Sequence, residues 1–153
     1  AAPRSGVTTH ANRGLAGIDG NISTALGIAS ASKQTFAVLG DLSFLHDLTG
    51  LIHREDIDCC FIVINNDGGG IFSTLPQRGV DGFESVFGTP HGLDPAAIAS
   101  AMGISASIIS SIDELKKVLK SPVKGISIVV ANVASRDENA DSLKAIYESM
   151  NSI

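Results

Sequence analysis

Two acidic or amide residues sit where a pair of apolar runs end. Phe36-Ala37-Val38-Leu39 runs into Gly40-Asp41-Leu42-Ser43, and Phe61-Ile62-Val63-Ile64 runs into Asn65-Asn66-Asp67-Gly68-Gly69-Gly70. If both runs are strands of one parallel sheet, their ends open on the same edge, where open α/β proteins bind ligands. Asp41 and Asn66, well separated in sequence, can then converge on one ion. Mg²⁺ takes oxygen ligands in octahedral geometry and needs few carboxylates when phosphates supply charge. The expected metal ligands are the Asp41 carboxylate, the Asn66 side-chain carbonyl and the backbone carbonyl of Gly68. Backbone N–H groups after Gly40, the Leu42 and Ser43 positions and the close-approaching Gly69 would meet the diphosphate. Read separately, the first segment is an ordinary strand-to-helix turn and the second a turn rich in residues that tolerate positive φ. Their joint placement favours the metal–diphosphate reading.

The elements needed to hold such a pair are legible. Strands are expected at about 35–39, 60–65 and 126–133, with a weaker one at 107–110 and a short one at Val7 to His10. Helical patterns fall at about 21–31, 42–53, 94–102, 112–120 and 140–150, an alternation that predicts an α/β fold with a three-layer parallel sheet and helices on both faces. Near-continuous apolar strands such as Ile126-Ser127-Ile128-Val129-Val130 fit burial on both sides. Leu42, Leu45, Leu48, Leu51 and Ile52 read as a core stripe, Ser111 or Asp113 as a helix cap, and the last helix as a cover for the sheet's outer face. Leu75 to Asp94, with Pro76, Pro90 and few apolar anchors, reads as a long surface loop of the kind that often forms a lid.

Length and composition narrow the class. The chain has 153 residues, 44% of them hydrophobic and 18% charged, enough for one domain that buries roughly 68–70% of its extended surface. A net charge of −5 without a Lys/Arg cluster argues against nucleic acid. Cys59 and Cys60 are adjacent in a strand, so their side chains face opposite ways and read as reduced core residues. No apolar stretch is long enough for a membrane span and no signal-peptide core opens the chain, which makes cytoplasmic the default expectation. The opening Ala1-Ala2-Pro3-Arg4 suggests the C-terminal part of a longer enzyme.

The Gly-Asp and Asn-Asn segments resemble the signature of the pyrophosphate-binding domain of thiamine-diphosphate enzymes. Within that group, Asn12 to Gly20, Gly40 to Asp47 and Asn65 to Phe72 with Leu75-Pro76 are similar to the C-terminal domain of the 2-succinyl-5-enolpyruvyl-6-hydroxy-3-cyclohexene-1-carboxylate synthase family of menaquinone biosynthesis. The resemblance is dense from Asn12 to Pro76 and thins beyond. It implies thiamine diphosphate and Mg²⁺ as cofactors, decarboxylation of 2-oxoglutarate and addition of the succinyl unit to isochorismate. It also implies that Ile18 props the bent cofactor and that Arg13 meets a substrate carboxylate through its planar fork. Ile71 and Phe72 would then line the wall beside the reacting carbon. Ile18 and Phe72 also read as plain packing residues, and Arg13 as a partner of Asp19 or Asp41. Leu42 stands where many thiamine enzymes have glycine, which suits this synthase group. The family's activating glutamate lies in a separate N-terminal pyrimidine-binding domain, usually of a partner subunit in a homo-oligomer, so this stretch alone would be inactive.

Rivals are an acetolactate-synthase-type lyase, a scaffold that keeps the fold without chemistry, and a dinucleotide-binding module built on Gly14, Gly17, Gly20 and Asp41. The last has Gly-x-x-Gly-x-x-Gly rather than Gly-x-Gly before its helix and leaves Asn65 to Gly70 without a role. No histidine is assigned as a base; His91, in the expected lid, is the one to watch.

Overall fold

The computed structural model describes residues 5–12, 17–52 and 56–151. Four parallel strands, β1 (Thr35–Gly40), β2 (Cys59–Asn65), β3 (Ser105–Ile109) and β4 (Ile126–Asn132), form one sheet in the order β1-β2-β4-β3. Helices α1 (Asn21–Ser30), α2 (Asp41–His46), α3 (Pro95–Ala101), α4 (Ile112–Lys120) and α5 (Arg136–Asn151) connect or follow them.

Alternation along β2 divides the core. Cys59, Phe61 and Val63 face one side with Ile128 and Val130, packed under Ile22, Leu26 and Ala29 of α1, Phe44 of α2 and Ala96 and Ala99 of α3. Cys60 and Ile62 face the other with Ile109 and Val129, covered by Leu115 and Val118 of α4. The three-layer arrangement read from the sequence is present. Phe44 and Phe61 are fully buried, each contributing about 2–3 kcal/mol by the transfer scale. The cysteines are free and split between the two faces. Burial pushes the Cys59 thiol up to about 12, so it stays protonated and inert at neutral pH.

Three expectations are corrected. Val7 to His10 is exposed and pairs with no strand, since β1 on the sheet edge has β2 as its only ladder neighbour among the described residues. The stripe expected as one helix over 42–53 breaks at Asp47 into the six-residue α2 and a 3₁₀ turn at Leu48–Leu51. The cause is tertiary: Asp47 accepts the N–H of Gly20 at 3.0 Å and of Ile22 at 2.6 Å, capping α1 with a buried carboxylate that α1's own sequence lacks. Finally, α5 begins earlier than expected and packs mainly on a 3₁₀ turn at Gly70–Thr74, leaving α4 to cover the sheet's second face.

The α4 cap is Ser111, with Glu114 accepting the Ser111 N–H in return. Asp94 caps α3 ahead of Pro95.

Candidate functional site

Register places the site. Gly40 lies beside Ile64 across the β1–β2 ladder, so Asp41 and Asn66 both emerge just past adjacent strand ends. Asp41 is only 2% exposed. Its Oδ2 accepts the backbone N–H of Gly68 at 2.9 Å and of Asn66 at 3.2 Å, and lies 3.3 Å from His91 Nε2. Among the described residues its Oδ1 accepts a single N–H, that of Leu42 at 2.7 Å. Among the described residues the sole ion-pair contact of this buried carboxylate is the His91 ring, with no lysine or arginine beside it. One oxygen thus locks the second loop to the first, and the other keeps acceptor capacity for a cation. That donor chemistry fits a divalent ion carried by a diphosphate.

Asn66 contributes its backbone to Asp41, while its carboxamide lies against Gly70. It also lines a cleft of about 510 Å³ with Asn65, Asp67, Asn132 and Arg136. The glycine run has a structural reason that the sequence did not disclose. A Cβ on Gly68, at φ +126°, would stand 2.2 Å from the Gly88 carbonyl oxygen, and one on Gly69 would stand 2.2 Å from that of Phe87. Close passage of the 87–89 backbone therefore demands these glycines independently of any cofactor. Among the described residues no three His, Cys, Asp or Glu side chains cluster as a metal site.

Ser43 accepts a hydrogen bond from the Asn21 side chain at 2.9 Å and donates to the Ile18 carbonyl at 3.4 Å. Its hydroxyl thereby ties the Ile18 segment to α2, and Ile18 itself is 44% exposed. Leu42 is half-buried. Ile71 is 73% exposed, whereas Phe72 packs on Phe87 with ring centroids 5.6 Å apart. Phe72 is thus at least partly a packing residue. Arg13 and Gly14 lie outside the described residues.

The segment expected as a lid is fastened at three places. Arg78 pairs with Asp137 at 3.1 Å and Asp141 at 2.6 Å, Glu84 pairs with Arg136 at 2.6 Å, and Asp67 accepts the N–H groups of His91 at 3.0 Å and Gly92 at 2.8 Å. The Gly92 and His91 donors hold the Asp67 carboxyl below the usual range. Phe83 and Phe87 stack beneath, 5.7 Å apart, around a π-turn at Glu84–Gly88. Sequence reading passed over Asp67 and Asp47 as turn and helix residues; an acid beside glycines or inside an apolar stripe was the only signal available.

The sequence profile described as "Thiamine pyrophosphate enzyme, C-terminal TPP binding domain" matches residues 2–133. The chain belongs to this family. Thiamine pyrophosphate and thiamine diphosphate are the same compound. As a thiamine-pyrophosphate-binding domain, the chain is 45% identical over 137 residues to 2-succinyl-5-enolpyruvyl-6-hydroxy-3-cyclohexene-1-carboxylate synthase of Paenarthrobacter aurescens (strain TC1), covering 82% of this chain and 24% of that protein. It is 42% identical over 142 residues to the synthase of the same name from Bacillus cytotoxicus, covering 90% and 24%. The domain therefore spans about a quarter of the length of these curated relatives. In fold it is similar to the Rhodococcus jostii RHA1 thiamine diphosphate-dependent 4-hydroxybenzoylformate decarboxylase, with TM-score 0.60, 18% identity and coverage of 76% and 23%. It is likewise similar to benzoylformate decarboxylase from Polynucleobacter necessarius, with TM-score 0.55, 23% identity and coverage of 74% and 22%. The dinucleotide rival falls, because the α1 N-terminus such a module would offer to phosphate is filled by Asp47.

Among the described residues no helix is long and apolar enough to cross a membrane.

Proposed function

We propose that this domain holds Mg²⁺ and thiamine diphosphate in a synthase that decarboxylates 2-oxoglutarate and adds the succinyl unit to isochorismate, a step of menaquinone biosynthesis. The observation that carries this reading is the buried Asp41 carboxylate, which has no lysine or arginine beside it among the described residues, is bound through Oδ2 to the Asn66 and Gly68 amides and keeps acceptor capacity at Oδ1. The synthase names of the relatives support the substrates. Bound thiamine diphosphate supplies the electron sink for decarboxylation and carbon–carbon bond formation.

In this reading Asp41 Oδ1, the Asn66 side-chain carbonyl and the Gly68 carbonyl hold the metal. Gly40, Leu42, Ser43 and Gly69 shape the diphosphate seat. Ile18 supports the bent cofactor, Arg13 binds a substrate carboxylate, and Ile71 with Phe72 borders the reacting centre and limits water there. The exposure of Ile71 supports a role that another surface completes. Catalysis needs an N-terminal pyrimidine-binding domain, supplied by a partner subunit of a cytoplasmic homo-oligomer. That the chain spans about a quarter of the relatives' length supports a site completed by residues outside this domain.

The test is turnover by the intact protein containing this chain. Decarboxylation of 2-oxoglutarate that requires Mg²⁺, thiamine diphosphate and isochorismate is expected. Conversion of pyruvate to acetolactate in its place would overturn the substrate assignment.

A further inference from the structure

His91 has a geometry that its loop position does not explain. Its Nδ1 accepts the Leu93 N–H at 3.0 Å and lies 3.6 Å from Asp67 Oδ1, an arrangement in which Nε2 is the ring nitrogen that donates to Asp41. Nε2 faces Asp41 Oδ2 at 3.3 Å, and the ring is 10% exposed beside a carboxylate that is 3% exposed. The backbone carrying the ring is itself clamped, since Asp67 accepts the His91 and Gly92 N–H groups. Asp67, at φ +62°, comes from the same turn whose Asn66 and Gly68 amides bind Asp41. A closed circuit results: Asp41 to the 66–68 turn, the turn to loop 91–92 through Asp67, and the loop back to Asp41 through the imidazole.

We propose that His91 is a positioning residue for the metal-binding carboxylate. With donors from Asn66, Gly68 and His91, Oδ2 has its acceptor sites taken, so the carboxylate cannot rotate to present that oxygen to the cation. Oδ1, with Leu42 alone among the described residues, is the oxygen left to ligate. Partners that orient a metal ligand typically change metal affinity by about 10–100-fold when removed. His91 therefore reinforces, from a side chain, the orientation of Asp41 that the Asn66 and Gly68 amides begin, without itself touching the metal. This rests on the proposed cofactor function and deepens it.

The experiment titrates thiamine diphosphate into the intact protein at several Mg²⁺ concentrations by calorimetry, with His91→Ala, His91→Asn and His91→Gln. The glutamine amide nitrogen reaches the place of imidazole Nε2; that of asparagine reaches only the place of Nδ1. Expected are affinity losses of about 10–100-fold for Ala and Asn, reduced when Mg²⁺ is raised, and near wild-type binding for Gln. Thermal unfolding of the Gln and Asn variants should be similar, so a general packing role would not separate them. Unchanged binding by His91→Ala, or a Gln variant as weak as Asn, would overturn the proposal. Where His91→Ala fails to fold, the Gln and Asn pair decides by the same criteria. If the wild-type protein shows no Mg²⁺-dependent binding, the cofactor function fails and this role with it.

Discussion

The Gly68 amide donates to Asp41 Oδ2 at 2.9 Å, joining the turn after β2 to the turn after β1 through a buried carboxylate. Residues far apart in sequence are thereby held at one sheet edge before any ligand arrives, so little conformational entropy remains to be lost on binding. The same Gly68 sits under the Gly88 carbonyl with φ +126°.

Gly68→Ala should therefore destabilise the domain by about 2 kcal/mol or more, because strain at positive φ adds to a backbone clash that no side-chain rotation relieves. Urea unfolding of the intact protein measures this. A change within about 0.5 kcal/mol, the range of ordinary surface substitutions, would contradict the packing described.

Asp47→Ala removes the acceptor for the Gly20 and Ile22 amides. Leaving donors unsatisfied where burial excludes water costs about 1–3 kcal/mol. Hydrogen exchange at the Ile22 amide should accelerate sharply relative to the β2 amides. Equal protection in wild type and variant would show that the cap is not formed in solution.

Such tertiary uses of a side chain are what the sequence hides. The strands and α1 were legible from apolar runs and helical spacing because those patterns are local. Asp47 broke the expected 42–53 helix for the benefit of a helix 25 residues earlier, which no local pattern records. In sequence, Gly68 and Gly69 suggest room for a cofactor, yet what they first admit is the 87–89 backbone. The pairing of Asp41 with the Asn66 turn was legible, since parallel strands must end on one edge. The fastening of loop 75–94 was not, because its ion pairs join it to α5, as with Arg78 and Asp141.

That fastening has a pH dependence. The Arg78 guanidinium holds the Asp141 carboxyl below its ordinary value, so the carboxylate's contribution is complete above the unfolded pKa of about 3.9 and is lost as pH falls through the lower folded value. Amide protection across residues 77–82, taken relative to the intrinsic exchange rate at each pH, should fall as the solution is acidified below about pH 4. In Asp141→Asn much of that acid dependence should be gone and exchange should be faster at neutral pH. Identical profiles for the two proteins would rule out the tether.

Arg13→Ala should raise the KM for 2-oxoglutarate by about tenfold or more, the scale of a lost charge-assisted hydrogen-bonded pair, while thiamine diphosphate affinity changes little. Parallel losses in both would assign Arg13 to the cofactor seat or the fold rather than to a substrate carboxylate.

Calorimetric binding of thiamine diphosphate to the intact protein, wild type against Asp41→Ala, with and without Mg²⁺, reaches the centre of the account. Binding should require Mg²⁺ in the wild type and vanish in the variant while circular dichroism stays unchanged. Mg²⁺-dependent binding of equal affinity in a folded Asp41→Ala protein would show that this carboxylate does not hold the metal.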